Sequence, residues 1–212
     1  VNFAIPFGWV NKVLPRLYAG GEAKHSWLGL AVQKTDAGLE VVYAALESPA
    51  AKAGLEAGDI LLSLNGSEYR ELGEIQAALL DLDVSCLVNL SWKRGEEVQT
   101  GILALAERPF SPLEQALEKD ARDNVLYPLF GMKLEKTGSF LWRSSYVVRR
   151  VLQGSVADEA GLSRDDPLTI QNWKVDKTDR YAVLTMYVKK RKAGYLESAV
   201  QIAAYLETDT FI

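Results

Sequence analysis

Cysteine and histidine are almost absent from this 212-residue sequence, which holds one of each, Cys86 and His25. A single cysteine excludes an intramolecular disulfide, and one histidine with one cysteine cannot assemble a His/Cys zinc centre, so no metal site is expected. Also missing are a G-x-G-x-x-G loop opening a long helix and a phosphate loop with Lys-Ser/Thr after its last glycine, so no nucleotide cofactor is expected. Charge of one sign is not in excess: 24 basic against 28 acidic side chains give a net charge of -4 and a pI near 5.2. Such a surface offers no general attraction to phosphate backbones, and nucleic acid is not an expected partner. The strongest basic run, Lys189-Lys190-Arg191-Lys192, precedes Ala193-Gly194 between two strand-like stretches and reads as a solvated hairpin tip. No apolar run approaches the ~18 to 20 residues of a membrane span. The chain begins at Val1 without methionine or a signal-peptide pattern, and reads as a piece of something longer.

What is present is a core-forming composition, 48% hydrophobic and 25% charged, and an internal repeat. The stretch "AAKAGLEAGDILLSLNGS" (50–67) returns in worn form as "VADEAGLSRDDPLTIQNW" (156–173). Ala53-Gly54-Leu55, Asp59 and Asn65 recur as Ala160-Gly161-Leu162, Asp166 and Asn172, all at one offset of 107 residues. The repeat favours two domains over one.

The opening segment reads as the end of a strand (2–5), a break at Pro6, and a short amphipathic helix with Val10, Val13, Leu14 and Leu17 on one face. A Gly20-Gly21 hinge follows. Strands are expected at 28–32 and 39–44, a helical turn at 50–53 closed by Gly54, and a strand at 60–64 ending in an Asn65-Gly66 turn. In 71–82 the residues Leu72, Ile75, Leu79 and Leu82 form one stripe of a helix. The stretches 87–92 and 98–105 flank Lys93-Arg94-Gly95-Glu96 as a hairpin, with Cys86 among apolar neighbours. Gly54, Gly58 and Gly66 serve turns, and Cys86 reads as core.

These residues, in this order, resemble a PDZ domain of the circularly permuted kind found in bacterial HtrA (DegP/DegS-like) serine proteases. Trp27-Leu28-Gly29-Leu30 is similar to the family's carboxylate-binding loop, and "AGLEAGDILLSLNG" to its central signature. The opening "NFAIP...VLPRL" resembles the last strand and closing helix of the trypsin-like protease domain that precedes the first PDZ domain. The resemblance implies a mainly β fold with short helices (α+β): tandem PDZ-like, partly open β-barrels or sandwiches, the second degenerate. It divides the chain into a protease-domain remnant (1–25), a first PDZ domain (26–107), a helical linker (108–127, with one helix over 112–122) and a degenerate second PDZ-like domain (128–212).

By the same resemblance, the catalytic triad lies upstream and this fragment holds no catalytic residue. No G-x-S-G-G context occurs, and His25 beside Ser26 reads as loop residues. Peptide capture is implied along Trp27, Leu28, Gly29, Leu30, Ala31 and Val32, with the amides of Leu28, Gly29 and Leu30 facing a terminal carboxylate. Gly29 is read as permitting close backbone approach, and Lys24 either assists by charge or is solvated. Ile75 and Leu79 form the pocket floor or belong wholly to the core. The implied partners are unfolded proteins or C-terminal peptides, with homo-oligomers formed through the protease domain and no membrane span in this fragment. The implied setting is extracytoplasmic, in a bacterial periplasm, in protein quality control. The alternative is a non-catalytic PDZ adaptor with a vestigial protease segment.

The second repeat departs from the pattern. Asp165 stands for Gly58, Pro167 for Ile60 and Trp173 for Gly66, so different turns and a shortened or displaced strand are expected. Only ten residues separate Asn172 from the stretch at Val183, too few for a groove helix, and 181–187 with 196–206 read as a long hairpin. The end, Thr210-Phe211-Ile212, reads as a frayed strand end. The alternative is that it docks in the first groove, since it matches the S/T-x-Φ terminus many PDZ domains accept. No histidine starts the groove helix, unlike the class that favours Thr there.

Overall fold

Short apolar runs punctuated by left-handed glycines build the strands of this chain. The computed structural model describes residues 4, 7–18, 24–140, 143–191, 195–206 and 210–212. The expected opening strand and Pro6 break, the Gly20-Gly21 hinge and the 192–194 hairpin tip fall wholly or largely outside these. The chain forms two units, residues 1–112 with 210–212, and residues 113–209. Both are built mainly of strands with short helices, and none of the three described sheets closes into a barrel.

The first unit begins with helix α1 (Phe7–Tyr18), as its apolar spacing predicts. Strand β1 (Ser26–Trp27) follows, then β2 (Leu30–Thr35), β3 (Gly38–Ala44), the helical turn α2 (Pro49–Lys52), β4 (Ile60–Leu64) and β5 (Ser67–Glu68). Helix α3 (Leu72–Leu80), β6 (Leu87–Arg94), β7 (Glu97–Ala104) and β8 (Ala106–Glu107) complete it. The main sheet runs β2-β3-β4-β6-β7, with β5 on β4, while β1 pairs β8 separately. The Asn65-Gly66 turn has φ 52° and 79°, and the Asn65 side chain accepts the Asn89 amide at 2.8 Å. A core of Leu28, Leu30, Val32, Val41, Leu64, Ile75, Leu79, Leu90 and Trp92 lies under the sheet, and Cys86 packs at its margin, half-buried.

In the second unit, one expected helix is two: α4 (Pro112–Lys119) and α5 (Arg122–Phe130). The break has a local cause. The Asp120 carboxylate accepts the Ala121 amide at 2.7 Å and the Asn124 side-chain amide at 2.9 Å, taking a backbone donor out of helical use. Strands β9 (Met132–Phe140) and β10 (Arg143–Val151), the helical turn α6 (Val156–Glu159), β11 (Pro167–Asp176), β12 (Tyr181–Arg191) and β13 (Tyr195–Tyr205) follow. The sheet order is β13-β12-β11-β10-β9.

Two expectations for this repeat are corrected. The strand after Asp166 is lengthened to ten residues, against five in β4. Pro167 sits at its first position, where the missing amide is tolerated, and Trp173 in place of a turn glycine lets it run on. The turn itself is conserved in geometry. Asp165 adopts φ 67° where Gly58 has 107°, and the Asp165 amide donates to Val148 O at 2.8 Å as Gly58 does to Val41 O at 2.8 Å. Aspartate tolerates that left-handed region better than most residues. The long hairpin and the missing groove helix are as expected: β12 and β13 pair in continuous register from Tyr181↔Tyr205 to Arg191↔Tyr195.

Candidate functional site

Strand β2 is the edge of the first unit's sheet: β3 covers one side, leaving the other side's amides and carbonyls for an added strand. Leu28 and Gly29 form the loop that leads into it. Leu28 O accepts the Ala50 amide at 3.0 Å and Gly29 O the Ala45 amide at 2.8 Å, pinning the loop to the α2 turn. Ser48 caps that turn, its Oγ accepting the Ala51 amide at 3.1 Å.

Gly29 is required to be glycine for an internal reason, whatever approaches its amide from outside. Its φ is +88°, and a Cβ there meets Ser48 Cβ at 2.1 Å and Ser48 Oγ at 2.5 Å. Glycine thus lets the loop lie against the capping serine, and so aims the next amides outward.

Helix α3 packs against β1 and β2. The Glu74 carboxylate accepts the amides of Arg70 at 3.0 Å and Glu71 at 3.2 Å, and these bonds hold it below the usual carboxylate range. Ser26 Oγ donates to Leu79 O at 2.6 Å, and Lys34 on β2 pairs with Glu71 at the helix start. Ile75 and Leu79 are both buried. Lys24 pairs with Glu107 at 2.8 Å, with both side chains about half exposed.

The described structure places Thr210–Ile212 along β2, so the frayed-end reading is replaced. Gly29 N and Leu30 N donate to Ile212 O at 2.9 and 3.1 Å, Ile212 N donates to Leu30 O at 2.8 Å, and Val32 N donates to Thr210 O at 2.8 Å. The pairing is antiparallel, with Ala31 opposite Phe211. The Ile212 side chain joins the buried core cluster that contains Ile75 and Leu79. The Phe211 ring meets Tyr43 edge-on at 6.2 Å between centroids. Thr210 Oγ1 is buried without a hydrogen-bond partner among the described residues.

Leu28 gives the loop its buried side chain and a carbonyl to α2, while the bonds to Ile212 come from Gly29 and Leu30. Trp27 is buried in β1 opposite Ala106. Tyr43 and Ser48 went unnoticed in the sequence. Their signal is weak there, since one lies mid-strand and the other is an ordinary serine before proline. No cluster of three or more potential metal ligands occurs among the described residues.

A strand-accepting edge, a loop of outward amides and a flanking helix define a class of peptide-recognition module, and family comparison agrees with it. Residues 26–105 match the PDZ domain family and residues 113–206 the TP0546 family PDZ domain, so the chain belongs to the PDZ proteins and carries two such domains.

Over most of its length it is also homologous to DegP-like serine endoproteases of the HtrA group. It is 28% identical over 186 residues to the probable periplasmic serine endoprotease DegP-like of Marinomonas sp., covering 82% of this chain and 39% of that protein. To the protein of the same description from Pseudomonas fulva it is 37% identical over 212 residues, covering 91% of this chain and 44% of the relative. Among solved structures, HtrA-type protease AlgW with decapeptide aligns at 20% identity and a TM-score of 0.47, over 50% of this chain and 37% of that one. The chain spans less than half the length of both curated relatives. No described helix is long and apolar enough to cross a membrane.

Proposed function

We propose that this chain is the peptide-recognition and regulatory region of an exported, periplasmic HtrA-like serine endopeptidase of protein quality control. In this reading the first PDZ domain binds extended or C-terminal apolar peptides by β-augmentation, along Trp27, Leu28, Gly29, Leu30, Ala31 and Val32, with Ile75 and Leu79 beneath the terminal side chain. Residues 1–25 are the end of the protease domain, and unfolded proteins supply the peptides. The second domain takes no peptide in this manner.

The observation that carries the reading is the edge of β2, where the amides of Gly29, Leu30 and Val32 and the carbonyl of Leu30 all bond an added strand. Main-chain bonds of this kind give affinity to any extended chain, and the apolar cluster beside them supplies a preference for apolar side chains.

The test changes the peptide and leaves the protein intact. A labelled peptide ending in Val-Phe-Ile is titrated into the chain alongside the same peptide N-methylated at its last residue. Methylation removes the donor that would face Leu30 O, and binding about tenfold weaker is expected, the worth of one main-chain hydrogen bond. Equal affinity for the two peptides would overturn the reading.

A further inference from the structure

We propose that Thr210–Ile212 is a resident occupant of the first domain's groove, and that the groove's ligands act by displacing it. Those ligands are extended peptides with an aliphatic residue, an aromatic and a branched aliphatic residue in succession. The proposal rests on the reading of β2 as a peptide site, and adds what occupies that site and what it selects.

Four main-chain hydrogen bonds between 2.8 and 3.1 Å join the segment to the edge strand. Phe211 and Ile212 are both almost fully buried, which an adventitious surface contact does not achieve. The segment is covalently attached to the chain it occupies, so its binding is an intramolecular event set by an effective concentration and not by a free one. An untethered peptide therefore competes against an occupant that never diffuses away.

The occupant is flawed at one position. Thr210 Oγ1 is buried with no hydrogen-bond partner among the described residues, so the edge takes the hydroxyl out of water without replacing its bonds from any of them. Helix α3 begins at Leu72 after Glu71, so no imidazole stands at its start to receive a hydroxyl. A ligand with valine at this position keeps the shape and lacks the orphaned group, while its aromatic and last residues take over the contacts that Phe211 makes with Tyr43 and Ile212 with the core cluster. The site is selective for a peptide better than the segment it already holds, and so the groove stays closed to weak ligands and opens to strong ones.

The experiment uses the full chain and its Ile212→Asp variant, with labelled decapeptides ending in Val-Phe-Ile or Thr-Phe-Ile. Amide hydrogen exchange at Gly29, Leu30 and Val32 is followed alongside, with Val88 and Leu90 as reporters that the core remains folded. In the parent chain the three edge amides exchange slowly; in Ile212→Asp they should accelerate at least tenfold while Val88 and Leu90 stay slow. Adding the Val-Phe-Ile peptide to the variant should restore slow exchange. This also shows that the variant is folded.

Peptide affinity should be about tenfold higher for the variant than for the parent, and the Val-Phe-Ile peptide should bind several-fold more tightly than Thr-Phe-Ile. Edge amides that exchange equally fast in both chains, with equal affinities, would overturn self-occupancy. Freed edge amides in a folded variant that binds neither peptide would leave self-occupancy standing and overturn the peptide-binding reading instead.

Discussion

The two units share a cradle and differ in what they place beside it. Gly29 and Gly131 both take a positive φ, +88° and +76°, and in each a Cβ would strike the capping serine of the next helical turn, Ser48 or Ser155, at 2.1 Å. Leu152 N donates to Gly131 O as Ala45 N does to Gly29 O, both at 2.8 Å. Asp59 and Asp166 each accept an amide three residues back, from Glu56 and Ser163, at 2.9 Å. Beyond this the units part. The first inserts α3 between β5 and β6, with only Ile75 and Leu79 buried, so the rest of the helix remains as a wall. The second joins β11 directly to β12, and its helix against the edge strand is α5, which comes before β9 and buries Val125, Leu126, Tyr127, Leu129 and Phe130. The cradle is thus a folding device common to both units, whereas the groove depends on an insert that only one retains.

The strongest way to break this comparison is at the paired glycines. Gly29→Val and Gly131→Val each combine a left-handed φ with a clash against backbone-anchored Ser48 or Ser155. Each should cost about 3 kcal/mol or more and unfold its own unit. Hydrogen exchange resolved by residue checks this. A Gly29→Val chain with unit 1 fully protected but unable to bind peptide would show that Gly29 serves ligand approach after all.

A smaller effect separates the paired aspartates. Asp59 is buried, and Arg94 meets it with Nε to Oδ1 at 2.8 Å and Nη2 to Oδ2 at 2.7 Å, while Nη2 also reaches Gly54 O at 2.6 Å. The carboxylate and this bidentate bond raise the Arg94 pKa above its ordinary value. Asp166 is half-buried, and its carboxylate accepts the Ser163 amide. Asp59→Asn should therefore cost about 2 to 3 kcal/mol, and Asp166→Asn about 0.5 to 1 kcal/mol. Urea titration with a probe in each unit measures both, and equal costs would mean that the arginine adds nothing.

Much of this contrast is legible in the sequence. The hairpin of 93–96, the Asn65-Gly66 turn and the stripe of Leu72, Ile75 and Leu79 have local causes, so they are readable from local chemistry, and so is the lack of room for a helix after Asn172. What is not legible depends on distance along the chain. Nothing near Gly29 announces that its Cβ would meet Ser48, and Asp165 looks like a lost glycine until its φ of 67° is seen. The docking of Ile212 against Gly29 and Leu30, 183 and 182 positions earlier, shows in the sequence only as a terminal pattern. Local reasoning favours a frayed end because the compensating burial lies in another part of the chain.

The smallest effect concerns charge, and distinguishes how each unit holds its depressed carboxylates. Glu74 in the first unit is lowered chiefly by the amides of Arg70 and Glu71. In the second unit Glu118 is lowered by its hydrogen bond and charge interaction with Lys177, and Glu135 in the same way by Arg149. All three lie below the ordinary value of 4.5 in the folded state. Each therefore adds stability that is present above that value and lost as pH falls through the folded one. All are exposed, so the contributions are small, but their salt dependence differs. Screening at about 1 M salt shrinks the Debye length to ~3 Å and weakens surface ion pairs, while short bonds from fixed backbone amides are much less affected. Carboxyl titrations followed by NMR should show Glu118 and Glu135 moving toward 4.5 in high salt while Glu74 stays depressed. A Glu74 that rises in step with the other two would mean that Lys34 and Arg70, its lesser charge partners, hold it down rather than the helix cap.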